Sequence, residues 1–176
     1  QVLALPGQLE RFMTPEEAVI LRSCFAGLWS VGAEDDNATP APGTVRADDA
    51  AAAAADALAR PGMYVLKPQR EGGGNNAYGA EVAHKLRTAS AAELRSHILM
   101  QRIFPKVTPS ILVRRGVATA GDAVSEWGIY SAFLGAGAGT TPLVNEYAGY
   151  LVRTKLEETD EGGVATGFAV LSSPLV

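Results

Sequence analysis

Apolar residues recur at Ala18, Leu21, Phe25 and Leu28 behind a start signal, Thr14-Pro15-Glu16-Glu17, and the spacing predicts a packing helix. Thr14 can cap, Pro15 suits the first helical position, and Glu17 stands where a capping-box acid reaches back. From 32 to 46 the pattern dissolves into acids, Pro and Gly, which reads as a surface loop. Residues 50–60 are Ala-rich and read as a helix on propensity alone, a scaffold and not a carrier of chemistry. After the turn signal Pro61-Gly62, residues 63–67 form a short apolar strand that runs into a glycine-rich loop, and 79–87 follow as a helix. Residues 97–103, 111–115, 124–134 and 143–155 are β-branched and aromatic with turns between them, which predicts an antiparallel set of strands. Two helices before this sheet and one set into it give an α+β class, and no internal repeat is visible.

Composition narrows the choice. The 176 residues are 47% hydrophobic and 19% charged, enough to bury one core and a smaller appendage. A net charge of −4, with no basic cluster among aromatics, argues against nucleic acid as a partner. Cys24 is the single cysteine, so no internal disulfide can form, and His84 and His97 lack zinc-ligand spacing. These features point to a reducing, cytoplasmic setting, and Cys24 on its helix reads as a small buried hydrophobe. No stretch reaches the roughly 18 apolar residues of a membrane span. The start, QVLALPG, has neither an initiating Met nor a basic leader, which suggests that the chain begins inside a longer protein.

The segment Lys67-Pro68-Gln69-Arg70-Glu71-Gly72-Gly73-Gly74-Asn75-Asn76 carries the chemistry. Consecutive glycines let successive N–H groups converge on phosphate oxygens. Lys67 adds a point charge at a strand end, and Glu71 offers a hard carboxylate oxygen suited to Mg²⁺. The loop fits neither of the two common nucleotide-loop patterns, so from the residues alone it is a possible phosphate cradle or a hairpin connection.

The string VLKPQREGGGNNAYG resembles the glycine-rich signature of eukaryotic glutathione synthetases, ligases of the ATP-grasp superfamily. The resemblance continues in ILMQRI at 98–103, SEWGIY at 125–130, NEYAGYLVRTK at 145–155 and GGVATGFAVL at 162–171. It implies an ATP-grasp fold, with an antiparallel sheet, flanking helices and a glycine-rich ATP-binding loop. Residues 1–60 would be a helical segment leading into a C-terminal ATP-grasp portion at 61–176, with the glycine-rich loop at 67–76 and a lid at 156–166. The N-terminal part of the enzyme would lie outside this chain.

The resemblance also implies roles. Lys67 through Asn76, with Tyr78, would line the ATP site, and Glu71 would be a Mg²⁺ ligand. Met100, Gln101, Arg102 and Ile103 would meet adenine through their backbone, with Gln101-Arg102 standing where Glu-Lys is frequent. Glu126 and Glu161 would lie at ATP, and Val164 and Ala165 at the γ-glutamylcysteine and glycine end. Strand alternation over 145–155 puts Tyr147, Arg153 and Lys155 on one face and Tyr150, Val152 and Thr154 on the other. By spacing alone the two cations make a solvated strand face. The resemblance gives Arg153 a catalytic role at the substrate carboxylate and Lys155 one at the ATP phosphates.

The implied reaction is the Mg²⁺- and ATP-dependent joining of γ-glutamylcysteine to glycine through an acyl phosphate, by a cytoplasmic homodimer. This chain alone would bind nucleotide weakly and not catalyse. The alternatives are another ATP-grasp carboxylate–amine ligase and a non-catalytic nucleotide-binding module.

Overall fold

The computed structural model describes residues 2–32, 47–69, 74–137 and 139–173. It divides into two compact units, Gln1–Ile103 and Phe104–Val176.

In the first unit, helix α1 (Pro15–Ser23) opens with a complete capping box: Glu17 N–H donates to Thr14 Oγ1 at 3.3 Å, and Thr14 N–H to Glu17 Oε2 at 2.9 Å. The helix is shorter and less buried than its apolar spacing predicts. It stops at Ser23, only Ala18 is buried, and Val19, Ile20 and Leu21 are exposed. Leu28 belongs to strand β1 (Leu28–Ser30), so the apolar spacing continues past the helix into a strand. Cys24 is the C-cap residue and is exposed, because it stands past the last turn where no layer covers it.

Helix α2 (Ala47–Ala59), strand β2 (Tyr64–Pro68), strand β3 (Ala77–Tyr78), helix α3 (Ala80–Thr88), the short helix α4 (Ala91–Leu94) and strand β4 (His97–Gln101) complete the unit. The strands form an antiparallel sheet in the order β1-β4-β2-β3. Alternation along β2 sends Tyr64 and Leu66 to one face, where they join Leu99, Ala77, Val82, Ala53 and Ala57 in the main core. The small alanines of α2 let that helix lie close, and Leu66, Leu99 and Val82 are fully buried. Asp56 ties helix to strand: it accepts from Tyr64 Oη at 2.6 Å and from Arg60 through both carboxylate oxygens, at 2.7 and 2.8 Å.

The second unit holds strands β5 (Thr108–Arg114), β6 (Val117–Leu134), β7 (Val144–Leu156) and β8 (Val170–Ser172), in that order and all antiparallel. The single antiparallel set expected from the sequence is therefore two sheets, with β4 in the first and the other three predicted strands in the second. The long β6–β7 hairpin has one irregularity. Tyr130 faces Gly149 and Ser131 faces Tyr147, so Ala148 is an extra residue, and Gly149 takes φ +123°, which a side chain would strain. The extra residue reverses the alternation beyond it. Tyr147 consequently shares a face with Tyr150, Val152 and Thr154 and not with Arg153, contrary to the strict period-two reading.

Candidate functional site

In the first unit, register decides which side chains share a face. Val65 pairs with both Tyr78 and Met100, and Lys67 pairs with Ile98. Lys67, Tyr78 and Met100 thus stand on the sheet face opposite the helix-packed core. Pro68 ends β2, and Gln69 N–H is fixed by the Ser96 carbonyl at 2.8 Å, so the chain leaves the strand in a set direction. Arg70, Glu71, Gly72 and Gly73 lie outside the described residues. On the far side of the loop, Asn76 Nδ2 donates to Tyr78 Oη at 3.2 Å, and the Arg102 guanidinium lies 5.8 Å from the centre of the Tyr78 ring.

Beyond its strand pairing, the segment 100–103 spends two further backbone donors within the fold. Gln101 N–H goes to the Gly27 carbonyl and Arg102 N–H to the Met63 carbonyl, both at 2.8 Å. The Gln101 side chain is engaged as well, since its Oε1 accepts from Gly27 N–H at 3.1 Å. Ile103, with an exposed side chain, makes no backbone donor bond among the described residues.

In the second unit, Glu126 and Arg153 are direct cross-strand partners, and an Arg153 guanidinium nitrogen donates to Glu126 Oε1. Lys155, opposite Val124, projects from the same face as Arg153. Its ammonium donates to the Thr159 carbonyl and, at 3.0 Å, to that of Asp160. The segment after β7 is built from such bonds. Thr159 N–H returns to Leu156, Glu157 N–H reaches Asp122, and the Gly163 carbonyl accepts from Phe168 N–H, Ala169 N–H and the Thr166 hydroxyl. Glu161 and Val164 are half-buried along it, and Ala165 is exposed.

Arg114 was not singled out from the sequence, yet it donates to the Phe168 carbonyl at 2.9 Å and pins the far end of this segment. An Arg ending a turn-flanked strand gives no hint of a partner 54 residues away. On the opposite face of the sheet, Trp127 stacks on Tyr150 with ring centres 5.7 Å apart. Among the described residues no three acidic, imidazole or thiol side chains converge into a metal cage.

Two antiparallel sheets, one faced by helices and carrying a lysine-led glycine loop, define an α+β protein of the ATP-grasp type. All of residues 1–176 match the family described as the eukaryotic glutathione synthase ATP-binding domain, and the chain belongs to that family. It is 46% identical over 177 residues to the chloroplastic glutathione synthetase of Solanum lycopersicum, covering 98% of this chain and 29% of that protein. It is 41% identical over 180 residues to the glutathione synthetase of Homo sapiens, covering 99% and 34% respectively. The chain therefore spans about a third of the length of these relatives. A glutathione synthetase-like effector of Globodera pallida, solved without ligand, shares the fold with a TM-score of 0.63 at 23% identity, covering 99% of this chain and 32% of that one.

Proposed function

We propose that this chain is the ATP-binding portion of a glutathione synthetase, which joins γ-glutamylcysteine to glycine at the expense of ATP. The observation that carries the reading is the family match over residues 1–176, with KPQREGGGNN at the end of a sheet strand inside it. In the first step a carboxylate oxygen of γ-glutamylcysteine attacks the γ-phosphorus of ATP; an O–P bond forms, the bond to the β-phosphate oxygen breaks, and ADP leaves. The glycine amine then attacks the acyl carbon, a C–N bond forms, phosphate departs with the C–O electrons, and the amine gives up a proton.

No side-chain nucleophile is needed, so the protein's part is to position reactants and stabilise charge. Lys67 and Lys155 serve the phosphates as mobile point charges, with the N–H groups of residues 70–76. Lys155 would exchange the Thr159 and Asp160 carbonyls for phosphate oxygens as ATP binds. Arg153 offers a planar fork to the substrate carboxylate, and Glu126, its cross-strand partner, holds that fork in the unloaded state and turns toward ATP on loading. Adenine is read by the backbone near Ile103, since the donors of Gln101 and Arg102 are committed elsewhere. Residues 156–166, with Glu161, Val164 and Ala165, close over the reactants and keep water from the acyl phosphate.

Glu71 is the residue assigned to Mg²⁺, a hard cation that screens the phosphate charge when bound, and the other ligands come from ATP and from sequence outside this chain. The enzyme is taken to be a cytoplasmic homodimer. A plastid is the alternative compartment, since the Solanum relative is named chloroplastic. No helix among the described residues is long and apolar enough to cross a membrane.

Titration of Mg·ATP into the 176-residue chain tests the nucleotide site. We expect weak binding that falls about tenfold in Lys67→Ala, the loss of one charge-assisted contact. Unchanged affinity in both Lys67→Ala and Gly73→Val would remove the loop from the site. Grafting the chain in place of the matching segment of the Solanum relative tests the reaction. ADP release should require γ-glutamylcysteine and favour glycine over β-alanine or serine; no preference would favour a different carboxylate–amine ligase.

A further inference from the structure

The second sheet has two unlike faces. Residues opposite one another in register project to the same side, so the odd positions of β6 from 117 to 133 form one face with Tyr147, Tyr150, Val152, Thr154 and Leu156 of β7. Those β6 positions read Val, Thr, Gly, Ala, Ser, Trp, Ile, Ser, Phe, and neither strand places a charge there. β5 contributes a single charge, Arg114, whose guanidinium is turned to the Phe168 carbonyl. The reverse face carries Asp122, Glu126, Glu146, Arg153 and Lys155. Such a split is what a sheet shows when one side is meant to be packed.

Only part of the uncharged face is covered. Leu112, Ala123, Val152 and Thr154 are buried, whereas Trp127 is 54% and Ile129 69% exposed, and Phe133, Tyr147 and Tyr150 are exposed beyond them. A groove of about 770 Å³ runs along the face between Thr108, Ser110, Ser125, Trp127 and Val152, with Lys106 as its one charged lining residue, and is large enough to take several side chains. Among the described residues the unit holds no helix to fill it. An exposed aromatic and aliphatic patch of this extent marks a contact surface.

We propose that this face is the docking surface for a layer of apolar side chains, of the kind a helix stripe presents, from the part of the family's polypeptide that this chain does not span. The relatives match this chain over 29–34% of their own length, which leaves two-thirds of each as the source of such a layer. A stretch of the same polypeptide reaches the face at far higher effective concentration than a second copy does. The inference rests on family membership and on the sheet register, and it is independent of the ligase reading.

Trp127 reports on it directly. In a Trp29→Phe background it is the only tryptophan of the chain, which has two, and in the graft every tryptophan outside the chain is replaced by phenylalanine so that Trp127 alone is read. Acrylamide quenching is measured on the 176-residue chain and on the same chain grafted into the Solanum relative, with sedimentation giving the mass of each. The expected result is a monomeric chain with readily quenched Trp127 and a graft in which quenching falls at least about threefold as the indole is buried. Three results would overturn the proposal: equal quenching in a folded graft, Trp127 already shielded in the monomeric chain, or shielding that appears only as the chain dimerises. If the graft does not fold, a lysine at the position of the intact Solanum protein aligned with Ile129 gives the same reading. Its melting temperature should drop by about 5 °C or more, whereas Ile129→Lys in the isolated chain should shift melting by no more than about 1 °C. No drop in the intact relative would sink the idea.

Discussion

Two carboxylates show how single residues tie the first unit together. Glu10 meets Arg22 through both oxygens, at 2.5 and 2.8 Å, and the Arg22 hydrogen bond lowers its pKa from the ordinary 4.5 to about 2. A depressed folded pKa means that the pair stabilises the fold above about pH 4.5 and that this support fades as the pH falls from there toward 2. Urea midpoints of the wild type and Glu10→Gln, measured from pH 7 to pH 2.5, should therefore converge on acidification; a constant gap would show that the pair is not the cause. Asp56 is likewise held below the usual carboxylate range, first by Arg60 and then by Tyr64. Burial, and then the bond to Asp56, raises the Tyr64 phenol. Tyr64→Phe keeps the ring and removes the bond, so a loss of about 1 kcal/mol is expected in urea unfolding at pH 7. A loss near zero would mean that Arg60 alone satisfies Asp56.

At the scale of elements, legibility followed from how local the determining physics is. The capping box of α1, the alanine helix and β2 are set by neighbours in sequence, and the structure has all three. The end of α1 was not legible, because Leu28 continues the helical spacing while its pairing with Met100 in β4 draws it into a strand. The division into two sheets was equally hidden, since nothing within β4 says whether it will pair with β2 or β5. The reversal of Tyr147 came from one extra residue, Ala148, whose only trace in the sequence is the adjacent Gly149. Of the candidate site, alternation along β7 already put Arg153 and Lys155 on one face, and the register has them there. Their partners, Glu126 and the carbonyls of Thr159 and Asp160, needed coordinates. Gly32 is a further position that sequence alone passes over. It has φ +81°, and a Cβ there would stand 2.5 Å from the Ala91 carbonyl oxygen and 2.8 Å from Leu94 Cβ. Gly32→Ala should cost about 1–3 kcal/mol by forcing α4 away from the β1 end, with hydrogen exchange rising first in residues 90–96. A neutral outcome would mean that α4 shifts freely.

At the scale of the whole molecule, the two units differ in how complete they are. The first buries Leu9, Tyr64, Val65, Leu66, Val82 and Leu99 among its larger side chains, with helices over its sheet. Among its described residues the second buries only Leu112, Val124, Val152 and Thr154 beyond alanine, so its sheet has little more than a seam of core. A sheet without a second layer leaves most of its apolar surface in water and cannot offset the conformational entropy of its strands well. Between the units, residues 102–107 have no regular structure and the side chains of 103–107 are exposed, including Lys106. Brief trypsin digestion should therefore cut after Lys106 before it attacks either sheet. The fragment ending at Lys106 should keep a cooperative thermal transition near that of the intact chain. The fragment from Val107 should melt broadly and bind a hydrophobic dye, and an apolar partner layer should sharpen its transition. Two equally cooperative fragments would show that the second sheet is complete by itself, and its uncharged face would then need another explanation.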